Sequence, residues 1–202
     1  FAQGATLQAG ALIVVADMAM DSVLQSDQQI LIGTGAGARG RLSGGMASAG
    51  MLLRVPWLGT PKSALAKITL GANASLDARL ADVMHHIDEE KASEANLDKL
   101  ARQLKSTGDP KHLLQRVNAS RQHVVEEWGK SLAEKAEIEK EIAEERKARL
   151  EVTVGVEGAV DLRIFHSQAR LRREFGAGRF VLDDSDRIVF CRADGGEPET
   201  VH

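Results

Sequence analysis

The stretch QILIGTGAGARGRLSGG, Gln29 to Gly45, opens with an apolar run and then sets Gly35, Gly37 and Gly40 at the spacing of a dinucleotide-binding fingerprint. In that fingerprint a helix starts at the glycines and turns free N–H groups and a positive dipole end toward a pyrophosphate. Here the residues after Gly40 read RLSGGMASAGMLLRV, with Gly44, Gly45 and Gly50 inside what would be that helix. Each interior glycine costs about 1 kcal/mol relative to alanine. No acidic side chain follows at the distance that holds a ribose; that neighbourhood reads WLGTPKSALAK. The glycines are therefore expected to turn tight corners, where positive φ or close stacking of strands excludes a Cβ.

Outward from this loop the sequence repeats itself. TLQAGALIVV begins at Thr6, VLQSDQQILI at Val23 and RLSGGMASAG at Arg41, so Leu7, Leu24 and Leu42 fall at steps of 17 and 18 residues. That is too short for a βαβ unit, which needs about 30 residues. It suits one coil of a β-solenoid, whose short strands bury their inward face on the next coil. An irregular antiparallel sheet is the alternative.

From about residue 75 the composition changes to Glu, Lys, Ala, Leu and Arg. Leu76, Leu80, Val83, Ile87, Leu97 and Leu104 follow a three-and-four spacing, with Glu90, Glu94 and Ala101 in the same seam. Leu114, Val117, Val124, Trp128, Ile138 and Ile142 resume the spacing after KSTGDPK. Gly108 suits the end of the first helix, and Pro110 the first turn of the second. Two such heptad segments joined by a short turn predict an antiparallel coiled-coil hairpin. Its polar seam residues Glu90, Glu94, Arg121 and Lys135 are expected to snorkel outward, with register fixing or a partner surface as alternatives.

Beyond residue 150 alternating VDLRIF and ARLRREF, then RFVL and RIVF around the turn Asp183–Asp186, predict three or four strands. Because the hairpin leaves and returns at one place, this segment is expected to pack beside the first. The chain thus divides into 1–74, 75–150 and 151–202: solenoid coils, an inserted helical hairpin and a returning β segment. The fold class is mixed α and β.

Little in the 202 residues points to chemistry. Net charge is −3, so no general attraction to nucleic acid or anionic membrane is expected. Aromatics make up 3% and tyrosine is absent, which suits a narrow interior rather than a large globular core. The run GALIVVADMAM is too short to span a bilayer and is broken by Asp17, so no membrane insertion is expected. The single cysteine, Cys191, fits a reducing compartment and reads as a small buried hydrophobe in a strand. His85 and Glu89 share a helix face, but a pair is half a metal site, and neighbouring His86 points about 100° away. No catalytic, cofactor-binding or metal-binding residues are expected.

Arg170, Arg172, Arg173 and Arg179 form the one local basic cluster, and with Trp57 they are the candidate interaction residues. Solvated strand charge is the first expectation for these arginines and an acidic protein partner the second. Nucleic acid suits them less, because no Tyr or Trp accompanies them for base stacking and Glu174, Asp183 and Asp184 lie close in sequence. Trp57 is expected to cap an open end of the β body. A nucleic-acid-binding module built on Arg170–Arg179 is the alternative function. A β-helix enzyme acting on carbohydrate is weaker still, since only Asp17, Asp21 and Asp27 supply carboxylates in the first 72 residues.

GARGRLSGGMASAG, then LGTPKSALAKITLG, a helical hairpin and GRFVLDDSDRIVF follow one another here in an order that resembles the flagellar assembly protein A family. The resemblance spans essentially the whole chain. It implies terminal coils of a right-handed parallel β-helix, preceded in the family by further coils and an N-terminal domain. It also implies a non-enzymatic bacterial scaffold or regulator of flagellar assembly or placement. Its partners would be flagellar or polar regulatory proteins, with homo-oligomers allowed. Its location would be the cytoplasm, including the cell pole.

Overall fold

The computed structural model describes residues 1–34, 39–61, 64–71, 74–109 and 112–201. Gly35 and Gly37 of the fingerprint, and Pro110, lie outside the described residues. The chain forms two compact units, Phe1–Asn73 with Ala143–His202, and Ala74–Ile142.

In the first unit short strands alternate with tight corners. One coil holds β1 (Ala2–Gln3), β2 (Thr6–Ala9) and β3 (Leu12–Val15); the next holds β4 (Met18–Met20), β5 (Val23–Ser26) and β6 (Gln29–Ile32). The following coils are built from β7 (Arg41–Ser43), β8 (Met46–Ala49), β9 (Leu52–Leu58) and β10 (Ala66–Leu70). After the helices come β11 (Arg149–Val156) and β12 (Val160–Ile164). Three parallel ladders result. β1, β4, β7 and the ends of β9 and β11 form the first. β2, β5, β8, β10 and β12 form the second. β3, β6 and the starts of β9 and β11 form the third. No helix starts at Gly40; strand β7 follows it directly.

The ladders bury apolar columns. Ala19, Leu42, Leu58 and Val156 stack in one, Leu24, Ala47, Ile68 and Leu162 in the second, and Ile13, Ile30, Leu53 and Leu150 in the third. Burying each Leu or Ile contributes about 1.5–3 kcal/mol. Two serines close the corners from inside. Ser22 donates to Met20 O (2.8 Å), and Ser26 donates to Ala11 O (3.0 Å).

The register corrects the repeat read from the sequence. Leu7 does pair with Leu24. Leu42, however, lies between Ala19 and Leu58 on the first ladder, and Ala47 takes the place beside Leu24. Residues between β6 and β7 lengthen that coil, so the true step from Leu24 is 23 residues, not 18.

Past β12 the chain reverses. β13 (Ser167–Leu171) pairs antiparallel with β12. β14 (Gly178–Leu182), β15 (Ile188–Arg192) and β16 (Glu199–Thr200) then add antiparallel strands beside β11. The segment holds more strands than alternation indicated, because β11 opens at Arg149 and the two-residue β16 is too short to show a period. Phe175, Phe180 and Phe190 meet here with ring centroids 4.7–5.2 Å apart.

The second unit is α1 (Ala74–Thr107) and α2 (Leu114–Glu145). Leu76, Val83, Ile87 and Ile138 are buried together, with Leu80, Trp128 and Ile142 against them. Gly108, at φ 85°, ends α1, and the Asp109 carboxylate accepts from the N–H groups of Leu113 (2.7 Å) and Leu114 (3.0 Å) to open α2. The seam residues do not all snorkel. Arg121 bridges Glu94 (2.6 Å) and Asp98 (3.0 Å) on the other helix, and Ser131 donates to Glu90 (3.0 Å). Lys135 turns outward to Glu139 of its own helix at 2.9 Å. Arg121 thus satisfies Glu94 and Asp98 across the seam, whereas Glu90 Oε2 is buried without a hydrogen-bond partner among the described residues.

Two glycine substitutions test this architecture. Gly45 has φ 68°, and a Cβ there would collide with the Ser22 backbone in the coil beneath. Gly45→Ala is expected to destabilise the solenoid unit by more than about 1 kcal/mol. Gly129, inside α2 with open space around it, should gain about 0.5–1 kcal/mol as alanine. Denaturant melts of both variants measure this; a Gly45→Ala protein as stable as its parent would refute the corner's role.

Candidate functional site

The four arginines singled out from the sequence do not form one patch. Arg170, on β13, holds Asp161 of β12 through two hydrogen bonds, at 2.5 and 2.8 Å. Arg173 pairs with Glu199 and lies 4.7 Å over the Phe175 ring. Arg179 stands on β14, in the other sheet. Among the described residues Arg172 and Arg179 have no carboxylate partner. Adjacency in sequence misled because the chain crosses from one sheet to the other between Leu171 and Gly178. Arg170, Arg172 and Arg173 do line one cavity of about 330 Å³, together with Glu199, but Arg179 stands apart from them, so the four do not make one basic face.

Trp57 does not cap an end. It lies inside the first ladder, opposite Arg41 on one side and Gly155 on the other. The Arg41 guanidinium sits 5.2 Å from its ring centroid and donates to Gly59 O and Glu157, each at 2.9 Å. Cys191 is half-buried rather than part of the core. The strand alternation gives the reason: Phe190 faces inward, so Cys191 faces outward, opposite Arg179.

That outward row holds the group of charges the sequence reading missed. Register lines up Arg54, Glu151, Arg179 and Cys191 across β9, β11, β14 and β15. Glu151 Oε2 accepts from Arg54 Nε and Oε1 from Arg149 Nε, both at 2.7 Å. Burial pushes the Glu151 carboxyl up, but these two guanidinium bonds outweigh it and hold it below the usual range. Beside the row, where the β9–β11 register shifts after Val152, lies a groove of about 500 Å³ lined by Glu151, Thr153, Arg179, Cys191 and Arg192. No single-sequence signal brings residues 54, 151 and 179 together; only the ladder register does.

The remaining candidates are dispersed. Asp17, Asp21 and Asp27 occupy three different corners, so they do not converge as a carbohydrate-cleaving pair would. His85 and Glu89 are 3.5 Å apart and exposed. Among the described residues no three of His, Cys, Asp and Glu gather in metal-binding geometry. Among the same residues no helix is long and apolar enough to cross a membrane.

Parallel coils stacked in three ladders and closed by antiparallel strands, with a pair of helices inserted in the chain, define a β-solenoid protein. The chain belongs to the family described as the flagellar assembly protein A beta solenoid domain, which matches it over residues 1–187. No curated protein and no solved structure matches it. The family's description names assembly and the solenoid, and no reaction.

The Asp161–Arg170 pair predicts a pH dependence. Hydrogen bonds from Arg170 hold the Asp161 carboxyl below its ordinary value, outweighing burial. A depressed folded value means the stabilisation is complete above the unfolded pKa of about 3.9 and disappears as pH falls through the folded one. Asp161→Asn should therefore cost up to about 1 kcal/mol near neutrality. In strong acid it should cost nothing. Urea titrations of both chains across that range check it, and a gap that persists in acid contradicts the assignment.

Proposed function

We propose that the chain is a non-enzymatic scaffold of bacterial flagellar assembly or placement, working through protein contacts in the cytoplasm, including the cell pole. The observation that carries this reading is the family match over residues 1–187. In finer detail, the solenoid comprises coils of a right-handed parallel β-helix, and the two helices form an antiparallel coiled coil. Parallel register along all three ladders supports the first. The buried heptad positions and cross-helix pairs such as Arg79–Glu141 (3.6 Å) and Arg121–Glu94 support the second. Segments 1–74, 75–150 and 151–202 then act as body, arm and closing layer. Stacked ladders in one unit and a helix pair in the other suit a protein that positions others, because each presents an extended surface for contact. Arg172, Arg179 and the half-buried Trp57 are the side chains offered to partners, and a second copy is one partner they accept.

Removal of the chain from its native host tests this. Cells lacking it should carry fewer or misplaced flagella and swim poorly, with growth unchanged. The full chain should restore them, and a version without residues 77–149 should show whether partners need the arm. Normally flagellated, motile cells would end the proposal.

A further inference from the structure

We propose that the groove between β11 and the start of β14 receives an acidic, extended segment of a partner protein, with Arg179 as its anchor. The inference rests on the scaffold reading above and names one contact by which it would work.

Charge is the first argument. The whole chain carries −3, yet in the groove's lining Arg179 and Arg192 stand with one carboxylate, Glu151, which Arg54 and Arg149 already pair. Arg192 pairs with Asp194 (3.0 Å), so Arg179 is the charge left without a partner among the described residues. Glu151 makes no ion pair with Arg179 across the ladder among the described residues, and its single negative charge is already shared between Arg54 and Arg149. Arg179 is exposed and has no carboxylate partner among the described residues. A planar guanidinium free in this way presents two parallel N–H donors, which match a carboxylate.

Shape is the second argument. Small residues, Ala177 and Gly178 among them, line the groove beside Arg179, so a main chain can approach closely. Gly178 has no room for a Cβ, which would meet the Phe190 ring and the Cys191 carbonyl. Stacked bases would find no aromatic platform among the lining residues. An extended chain bearing Asp or Glu needs none.

Cys191, the only cysteine, lines the same groove and reports on it. The test uses the full chain with a labelled poly-glutamate peptide. Binding is expected at low salt, weakening as salt rises. Arg179→Gln should weaken it about tenfold or more. Arg172→Gln, at an exposed arginine outside the groove that makes no ion pair among the described residues, should stay within about twofold. The peptide should also slow alkylation of Cys191 by iodoacetamide. Equal losses in the two variants would mean diffuse attraction and overturn the proposal, as would no binding at low salt or an unchanged alkylation rate. Tighter binding of a single-stranded oligonucleotide that depends on Arg179 would assign the groove to nucleic acid instead. Should Arg179→Gln fail to fold, protection of Cys191 in the unaltered chain decides the matter. Flagellation of the deleted host is read independently, so this contact and the scaffold role can fail separately.

Discussion

A β-solenoid stacks only if every coil turns at the same places, and here the turning residue at one corner is held in left-handed backbone. Gly4, Asp21 and Gly44 follow Gln3, Met20 and Ser43, which are in register, with φ of 56°, 46° and 65°. The corner N–H groups then donate to the coil above: Gly4 to Met20 O and Asp21 to Ser43 O, both at 3.0 Å. A corner that opened would shift every strand after it and move the buried columns out of line. Asp is tolerated at one turn because its short polar side chain adopts this backbone better than most. Where two corners press together, as at Gly45 over Ser22, no side chain fits. Of the glycines that imitate a nucleotide-binding loop, Gly40 is among the described residues, and a Cβ there would collide with the Gly33 backbone.

The same constraint explains the scarcity of rings. Columns of Ala, Leu, Ile and Val fill a cross-section only a few side chains wide, and an aromatic ring in mid-stack would spread the ladders. Three of the five phenylalanines sit instead in the antiparallel layer that follows the last coil, where Phe180 continues the column of Leu53 and Leu150. That layer also pairs the backbone edge of β11 that the solenoid would otherwise expose. Its own rim carries charge, with Arg170 on β13 and Glu199 on β16. Charged side chains of this kind discourage further strands from adding.

Periodicity made the two helices legible as elements, because a seam buries every third or fourth side chain regardless of what surrounds it. Their far end was not legible: α2 stops at Glu145 and β11 opens at Arg149, inside the segment expected to be hairpin. The solenoid was legible as a class but not in register. Leu42 looked like the third member of a leucine row, whereas the row is defined by corners, and the longer stretch between β6 and β7 displaces it by several residues. Arg54, Glu151 and Arg179 were beyond reach for the same reason, since they become neighbours only once register is known. Cys191 was different: its position next to inward-facing Phe190 already implied an outward side chain, and alternation applied strictly would have found it. Trp57 fell between these cases, because a half-buried ring inside a ladder and a ring at an end give the same local pattern.

Why the solenoid tolerates an insertion of this size follows from loop closure and from the insertion's own order. Leu53 pairs with Leu150 across 97 residues, whereas Ile13 pairs with Ile30 across 17. For a flexible loop that difference would cost only about 1.5 kcal/mol in closure entropy. Two antiparallel helices reduce even this, because their packing already brings their first and last turns together. Leu76 near the start of α1 and Ile142 near the end of α2 belong to one buried cluster. The chain leaves after Gly71, whose N–H donates to Ala49 O at 3.1 Å as a corner residue should, and re-enters at Arg149, whose N–H donates to Met51 O at 2.9 Å. Both hydrogen bonds are those of an uninterrupted coil, so the ladder's register passes through the insertion unchanged.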